Sequence, residues 1–154
     1  MDLTIVTTRD RPDLAQITGR WRWEAFFKAD GVSLEDTLAF EADSARSADL
    51  MPTVLVLLDG QQPIGMVALC LDDLEGRPEL NPWLAGLYVA PTHRGQGHGL
   101  RLIAELESLA RASRIPRLSL YTAGAVGLYA RAGWKTVETF DLHGEPFSIM
   151  QKHF

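Results

Sequence analysis

Hydrophobic and polar positions along this chain fall into runs of two periods, and the changes of period mark an order of elements. Residues 3–7 alternate branched and polar side chains, as a half-exposed strand does. Asp10 and Pro12 then open a helix on which Leu14, Ile17 and Trp21 recur at helical spacing. The stretch Trp21-Arg22-Trp23-Glu24-Ala25-Phe26-Phe27 concentrates aromatics before Gly31, and Ser33-Leu34-Glu35-Asp36 has the capping pattern of a second helix reaching about residue 45. Residues 53–58 and 64–71 are unbroken apolar runs around Asp59-Gly60-Gln61-Gln62-Pro63. They predict a hairpin whose strands are covered on both faces.

The polar stretch 72–82, holding Gly76, Pro78 and Pro82, predicts the longest loop, and 83–89 predicts a third central strand. Leu100, Ile103, Leu106 and Ala110 recur at three- and four-residue spacing, which predicts a helix over 98–113. Pro116 breaks the chain, residues 117–121 read as a strand, and 125–132 read as a short helix stopped by Gly133. Residues 134–142 and 147–151 then pair around His143-Gly144-Glu145-Pro146. The predicted order is β-α-α-β-β-β-α-β-α-β-β, a mixed α/β sheet flanked by helices in a single domain over 1–154, without internal repeat or linker.

Composition changes this picture little. A chain of 154 residues that is 46% hydrophobic can build one core without metal or disulfide staples. The lone Cys70 lies in an apolar strand run, reads as packing, and suits a reducing compartment. No apolar run approaches the roughly 18 residues of a membrane span, and the start of the chain lacks a basic signal-peptide segment, so the expectation is a cytoplasmic protein off the membrane. The net charge of −5 argues against nucleic-acid binding, which depends on Lys and Arg at phosphates, and favours a cationic substrate.

The chemistry concentrates in Leu87-Tyr88-Val89-Ala90-Pro91-Thr92-His93-Arg94-Gly95-Gln96-Gly97-His98-Gly99-Leu100, a strand that turns through alternate glycines into an amphipathic helix. The first N–H groups of a helix lack intrahelical partners and sit at the positive end of its dipole. Gly95, Gly97 and Gly99 let an anion approach that backbone, and Arg94 adds a cation beside it. A Walker loop would need Gly-Lys-Ser/Thr, and no Lys is present. The dinucleotide fingerprint would need glycine where Leu100 stands and an acid about 20 residues on. What remains is Arg-x-x-Gly-x-Gly after Val-x-Pro.

That segment resembles the acetyl-CoA-binding motif of the GCN5-related N-acetyltransferases (GNAT), Val-x-Pro-x-x-Arg-Gly-x-Gly-x-Gly/Ala. A second family signature is matched by Ala125-Val126-Gly127-Leu128-Tyr129-Ala130-Arg131-Ala132-Gly133-Trp134. The resemblance covers about 83–137 by sequence and nearly the whole chain by element order. It implies that the backbone of Arg94, Gly95, Gln96, Gly97, His98 and Gly99 holds the pyrophosphate. The pantetheine arm would pair with Leu87, Tyr88 and Val89, in a gap where this strand splays from its neighbour at Tyr121. An N–H near Leu87 or Tyr88 would hold the oxyanion.

Tyr129 matches the family's general acid. A phenol is a weaker acid than a thiol, so its role would be a hydrogen bond to charge developing on sulfur. Thr122 stands where the family often has a cofactor-binding Asn, and a hydroxyl replaces only part of an amide. Some members carry a glutamate base near the position of Trp83, and here no carboxylate stands there. Asp72 is therefore the first choice as base, with Asp73 and Glu24 as neighbouring acids; Trp21, Trp23, Phe27 and Trp83 are candidates for an aromatic acceptor wall where a cation could sit over a ring. Each acid has an alternative as a solvated side chain, and each aromatic as core.

The histidines lack metal spacing, so no metal is expected. The resulting expectation is an acetyl-CoA-dependent N-acetyltransferase acting by direct attack of a primary amine, on a small molecule or a peptide, with a homodimer admitted by the resemblance. Two alternatives stay open: a CoA-binding sensor or interaction module without turnover, and a domain that uses the glycine turn for another nucleotide.

Overall fold

The strands expected from the apolar runs all enter one sheet in this computed structural model, which describes residues 2–154. They are β1 (Leu3–Thr7), β2 (Thr53–Asp59), β3 (Gln62–Cys70), β4 (Trp83–Val89), β5 (Arg117–Thr122), β6 (Lys135–Leu142) and β7 (Glu145–His153). The helices are α1 (Ala15–Arg22), α2 (Leu34–Arg46), α3 (His98–Ala112) and α4 (Val126–Arg131). The sheet order is β1-β2-β3-β4-β5-β7-β6; β4 and β5 pair in parallel and the other neighbours antiparallel.

Both faces of β2 and β3 are covered, which is why their sequences are continuously apolar. Leu55, Leu57, Val67 and Leu69 point to the face packed by Leu102, Ile103, Leu106 and Ala110 of α3. Val54, Val56, Met66 and Ala68 point to the other face, against Leu14 and Trp21. Glu107 of α3 is buried, yet it accepts from the Trp134 indole (3.1 Å) and from Lys152 Nζ (2.6 Å). That network ties α3 to β7 and to the turn after α4.

Where the structure departs from the expected boundaries, the backbone gives the reason. The first helix opens with a 3₁₀ turn (Pro12–Leu14) and continues past α1 as a π-helical turn (Trp23–Phe27) and a second 3₁₀ turn (Lys28–Asp30), which Gly31 closes at φ 80°. The expected strand 64–71 stops at Cys70 because Asp72 takes φ 57°. Leu71 is therefore exposed. The last hairpin is tighter than predicted: Leu142 pairs with Glu145, and His143 and Gly144, at φ 52° and 77°, form a two-residue turn with both φ positive.

The sheet is split near its centre. Between Met66 and Ala68 of β3, the facing strand β4 carries an extra residue, and Gly86 supplies the φ of 62° that this bulge needs. Beyond it β4 leaves β5: among the described residues the two strands register at a single pair, Trp83 with Ser119. The wedge that opens between them is the site.

Candidate functional site

The glycine turn builds one end of the wedge. After Val89 the chain makes a 3₁₀ turn (Pro91–His93), passes Gly95 at φ 76°, and enters α3 at Gly97, whose φ of 84° leaves the helix without a side-chain cap. The first amides of α3 therefore have no intrahelical partner. Nothing lies within 4 Å of where a Cβ would sit on Gly95 or Gly97, so this backbone faces open space. Arg94 is anchored by its Nε to the Val89 carbonyl (2.8 Å), and its guanidinium lies 5.4 Å from the centre of the Tyr88 ring. His98 is buried against the cleft with Nε2 unpartnered. Gln96 is exposed and contributes no side chain to the lining.

From this end a cleft of about 800 Å³ runs between Leu87, Tyr88 and Val89 on one wall and Leu120, Tyr121 and Thr122 on the other. The Thr122 hydroxyl accepts from the Ala125 N–H (3.2 Å), which shapes the loop into α4 and leaves its own O–H free to donate. Tyr129 lines the cleft from α4, edge-on to Trp134 at 6.2 Å. Burial, reinforced by the charge of Asp73, pushes its phenol well above the ordinary tyrosine range. Its hydroxyl makes no hydrogen bond among the described residues and faces the cleft.

The far end is made of side chains brought from distant segments. Arg22, at the end of α1, donates from Nη1 to Glu41 Oε1 (2.7 Å), and Glu41 Oε2 accepts from Thr18 (2.9 Å); Arg22 and Glu41 are 6% and 1% exposed. The Arg22 guanidinium lies 5.5 Å from the Phe27 ring and faces the cleft, with Nε unpartnered. Phe26, Phe27 and Phe147 add apolar wall, and Asp73 enters from the loop after β3. Burial raises the Asp73 carboxyl to about 6, an effect that Arg22 opposes. The Tyr121 hydroxyl donates to the Asp73 carbonyl (3.4 Å), and burial pushes this phenol up to about 12.

Several expected residues lie elsewhere. Asp72 is exposed and outside the cleft; its N–H donates to Asn81 Oδ1 (2.8 Å) and its Oδ1 accepts from Asn81 Nδ2 (2.9 Å), and its left-handed turn carries Asp73 into the cleft instead. Trp83 is fully buried, donating to Asn81 (2.8 Å) and packed edge-on to Tyr121, because the start of β4 is still inside the joined part of the sheet. Trp21 is core, 5.1 Å from Tyr88. The Trp23 indole donates to the Val32 carbonyl (2.8 Å) with Lys28 5.2 Å over its ring, and Glu24 is exposed; neither lines the cleft. Of the acceptor-side candidates, Phe27 and Asp73 reach it. Sequence reasoning missed Arg22, Phe26 and Phe147, and had Tyr121 only as the edge of the gap. Arg22 carried a signal: it follows Ala15 and Thr18 on one helical face as its only charge.

No cluster of metal-ligating side chains occurs among the described residues, and none of their helices is long and apolar enough to cross a membrane. No curated protein matches the chain. Among solved structures, a GNAT-family acetyltransferase from Streptococcus pneumoniae superposes with a TM-score of 0.74 at 19% identity, covering 99% of both chains. A ribosomal-protein-alanine N-acetyltransferase from Brucella melitensis gives 0.69 at 22%, covering 100% of both. The acetyltransferase yncA of Salmonella typhimurium, solved with its cofactor acetyl-CoA, gives 0.71 at 16%, covering 99% of this chain and 94% of its own. At such identities the likeness establishes the fold. The sequence itself matches the Acetyltransferase (GNAT) family over residues 16–134, a span that includes both the glycine turn and Tyr129. With the split sheet and the uncapped helix of the family in place, this chain belongs to the GNAT acetyltransferases.

Proposed function

We propose that the chain transfers an acetyl group from acetyl-CoA to an amine, with the cofactor in the wedge between β4 and β5. One observation carries this reading: a single cleft is lined by the uncapped end of α3, by Tyr129 and by Asp73, so free helix-end amides, a hydroxyl donor and an acid share it. The cofactor would bring the activated acyl group and a thiolate leaving group. The amides that open α3 hold its pyrophosphate, helped by Arg94, and the backbone of Leu87, Tyr88 and Val89 offers edges for its arm. His98 contributes its amide, and Gln96 only backbone. Thr122 can donate from its hydroxyl.

Tyr129 donates a hydrogen bond toward the leaving sulfur. Asp73 accepts the proton of an ammonium acceptor, a task for which a carboxyl near 6 is better placed than an ordinary one, because proton transfer works best with a base poised near the working pH. It supplies the acid that the position of Trp83 lacks, which weighs against a CoA-binding module without turnover. The reading carries a single catalytic domain and a cytoplasmic setting. Release of CoA thiol from acetyl-CoA across a panel of primary amines tests it: amine-dependent thiol release is expected, and tight CoA binding with no release on any amine would sink it.

A further inference from the structure

Arg22 holds an arrangement that a purely structural arginine does not need. Of its nitrogens, Nη1 is committed to Glu41, while Nε and Nη2 make no hydrogen bond among the described residues. Those two nitrogens form one edge of the guanidinium, the fork that matches the two oxygens of a carboxylate. The residue is more than nine-tenths buried, and a buried N–H without a partner is costly. Only a glycine fits beside this edge: Gly86 sits at φ 62°, and a Cβ there would come within 3.1 Å of Arg22 Nε and crowd it. Burial, two N–H donors without a partner and a glycine packed beside them coincide on the wall of the cleft, one chain turn from Phe26 and Phe27.

We propose, building on the acetyl-transfer reading, that the acceptor is an amino acid, with its carboxylate on the free edge of Arg22, its amine toward Asp73 and an apolar side chain among Phe26, Phe27 and Phe147. The charge balance selects a carboxylate over a phosphate. Arg22 is the cation beside Asp73 and the phenylalanines, and Glu41 already neutralises it. A dianion would add two negative charges to this neutralised pair and would face Asp73. A zwitterionic amino acid adds no net charge, since its carboxylate takes the two free N–H groups while its ammonium faces Asp73, and the three phenylalanines offer a polar or charged side chain nothing to pair with.

Matched pairs of acceptors test this directly: leucine against 3-methylbutylamine, and phenylalanine against 2-phenylethylamine, each with acetyl-CoA. The amino acids should show kcat/KM higher by about tenfold to a hundredfold, the size of a charge-assisted hydrogen-bonded pair, with the difference lying mainly in KM. In Arg22→Lys, which keeps the charge beside Glu41 and loses the fork, that ratio should collapse; circular dichroism and CoA affinity report whether the variant is folded, and the wild-type ratio stands as a test without it. Amines turned over as well as or better than their amino acids would overturn the inference and leave acetyl transfer intact. If no acceptor is turned over, calorimetric titration of leucine and phenylalanine into the protein–CoA complex decides. Saturable binding absent with the two amines upholds the carboxylate site while acetyl transfer falls, and no binding overturns the site as well.

Discussion

The two ends of the cleft are built on opposite plans. The glycine turn is a short contiguous stretch whose working groups are backbone amides, held open by the positive φ of Gly95 and Gly97. The far end gathers Arg22, Phe27, Asp73, Tyr121 and Phe147 from separate segments, and what it presents to the cleft are side chains. A backbone site depends on conformation and is indifferent to many neighbouring identities. A side-chain site depends on each identity and on the fold that brings the segments together. One end can therefore be read as a motif, and the other only as a place.

The sharpest way to break this contrast is Gly97→Asp. It strains a left-handed position and puts an anion at the positive end of α3, so CoA affinity by calorimetry should fall by about a hundredfold or more; affinity within about twofold of wild type would mean the turn is not the anchor. Next in size is Asp73→Asn, expected to lower kcat by about a hundredfold at about pH 8. The sign of the pH effect comes from Asp73: a carboxyl raised to about 6 is protonated and idle below that value and able to accept a proton above it. Wild-type kcat/KM should thus rise with pH through about 6 and the variant should lose that limb. A wild-type rate flat across that range would remove Asp73 from the reaction. Tyr129→Phe should lower kcat by about tenfold while CoA affinity stays within about twofold, since the hydroxyl matters only as sulfur gains charge. Smallest is Asp72→Asn: an amide can still pair with Asn81 and tolerates the left-handed turn, so steady-state rates should move less than about twofold.

These effects track the line between what the chain spells out and what folding assembles. The apolar runs of β2 and β3 announced a sheet covered on both faces, and the spacing along α3 announced the helix that covers one of them. The glycine turn was legible because its function needs only consecutive residues. The acid in the cleft was misplaced by one position. Asp tolerates φ above zero nearly as Asn does, so nothing in Asp72-Asp73 marks which of the two turns the chain and which is turned inward. Trp83 was misread for a related reason: at the start of β4 the sheet is still joined, and the split begins only past the bulge at Gly86. Tyr121 and Phe147 are ordinary strand residues by pattern, and their place in the cleft depends on the order in which β5 and β7 enter the sheet.

The π-helical turn at Trp23–Phe27 has a consequence for how this protein could vary over time. Such a turn takes up one residue more than an α-helical one, so deleting that residue would return the segment to α-helical winding with its flanks in register and change which side chains occupy the turn. Loss of a single codon here would thus redraw the part of the cleft wall that Phe26 and Phe27 supply while leaving the glycine turn, far along the chain, untouched. A lineage carrying this architecture thus has a one-step route to reshaping one end of the cleft without touching the other.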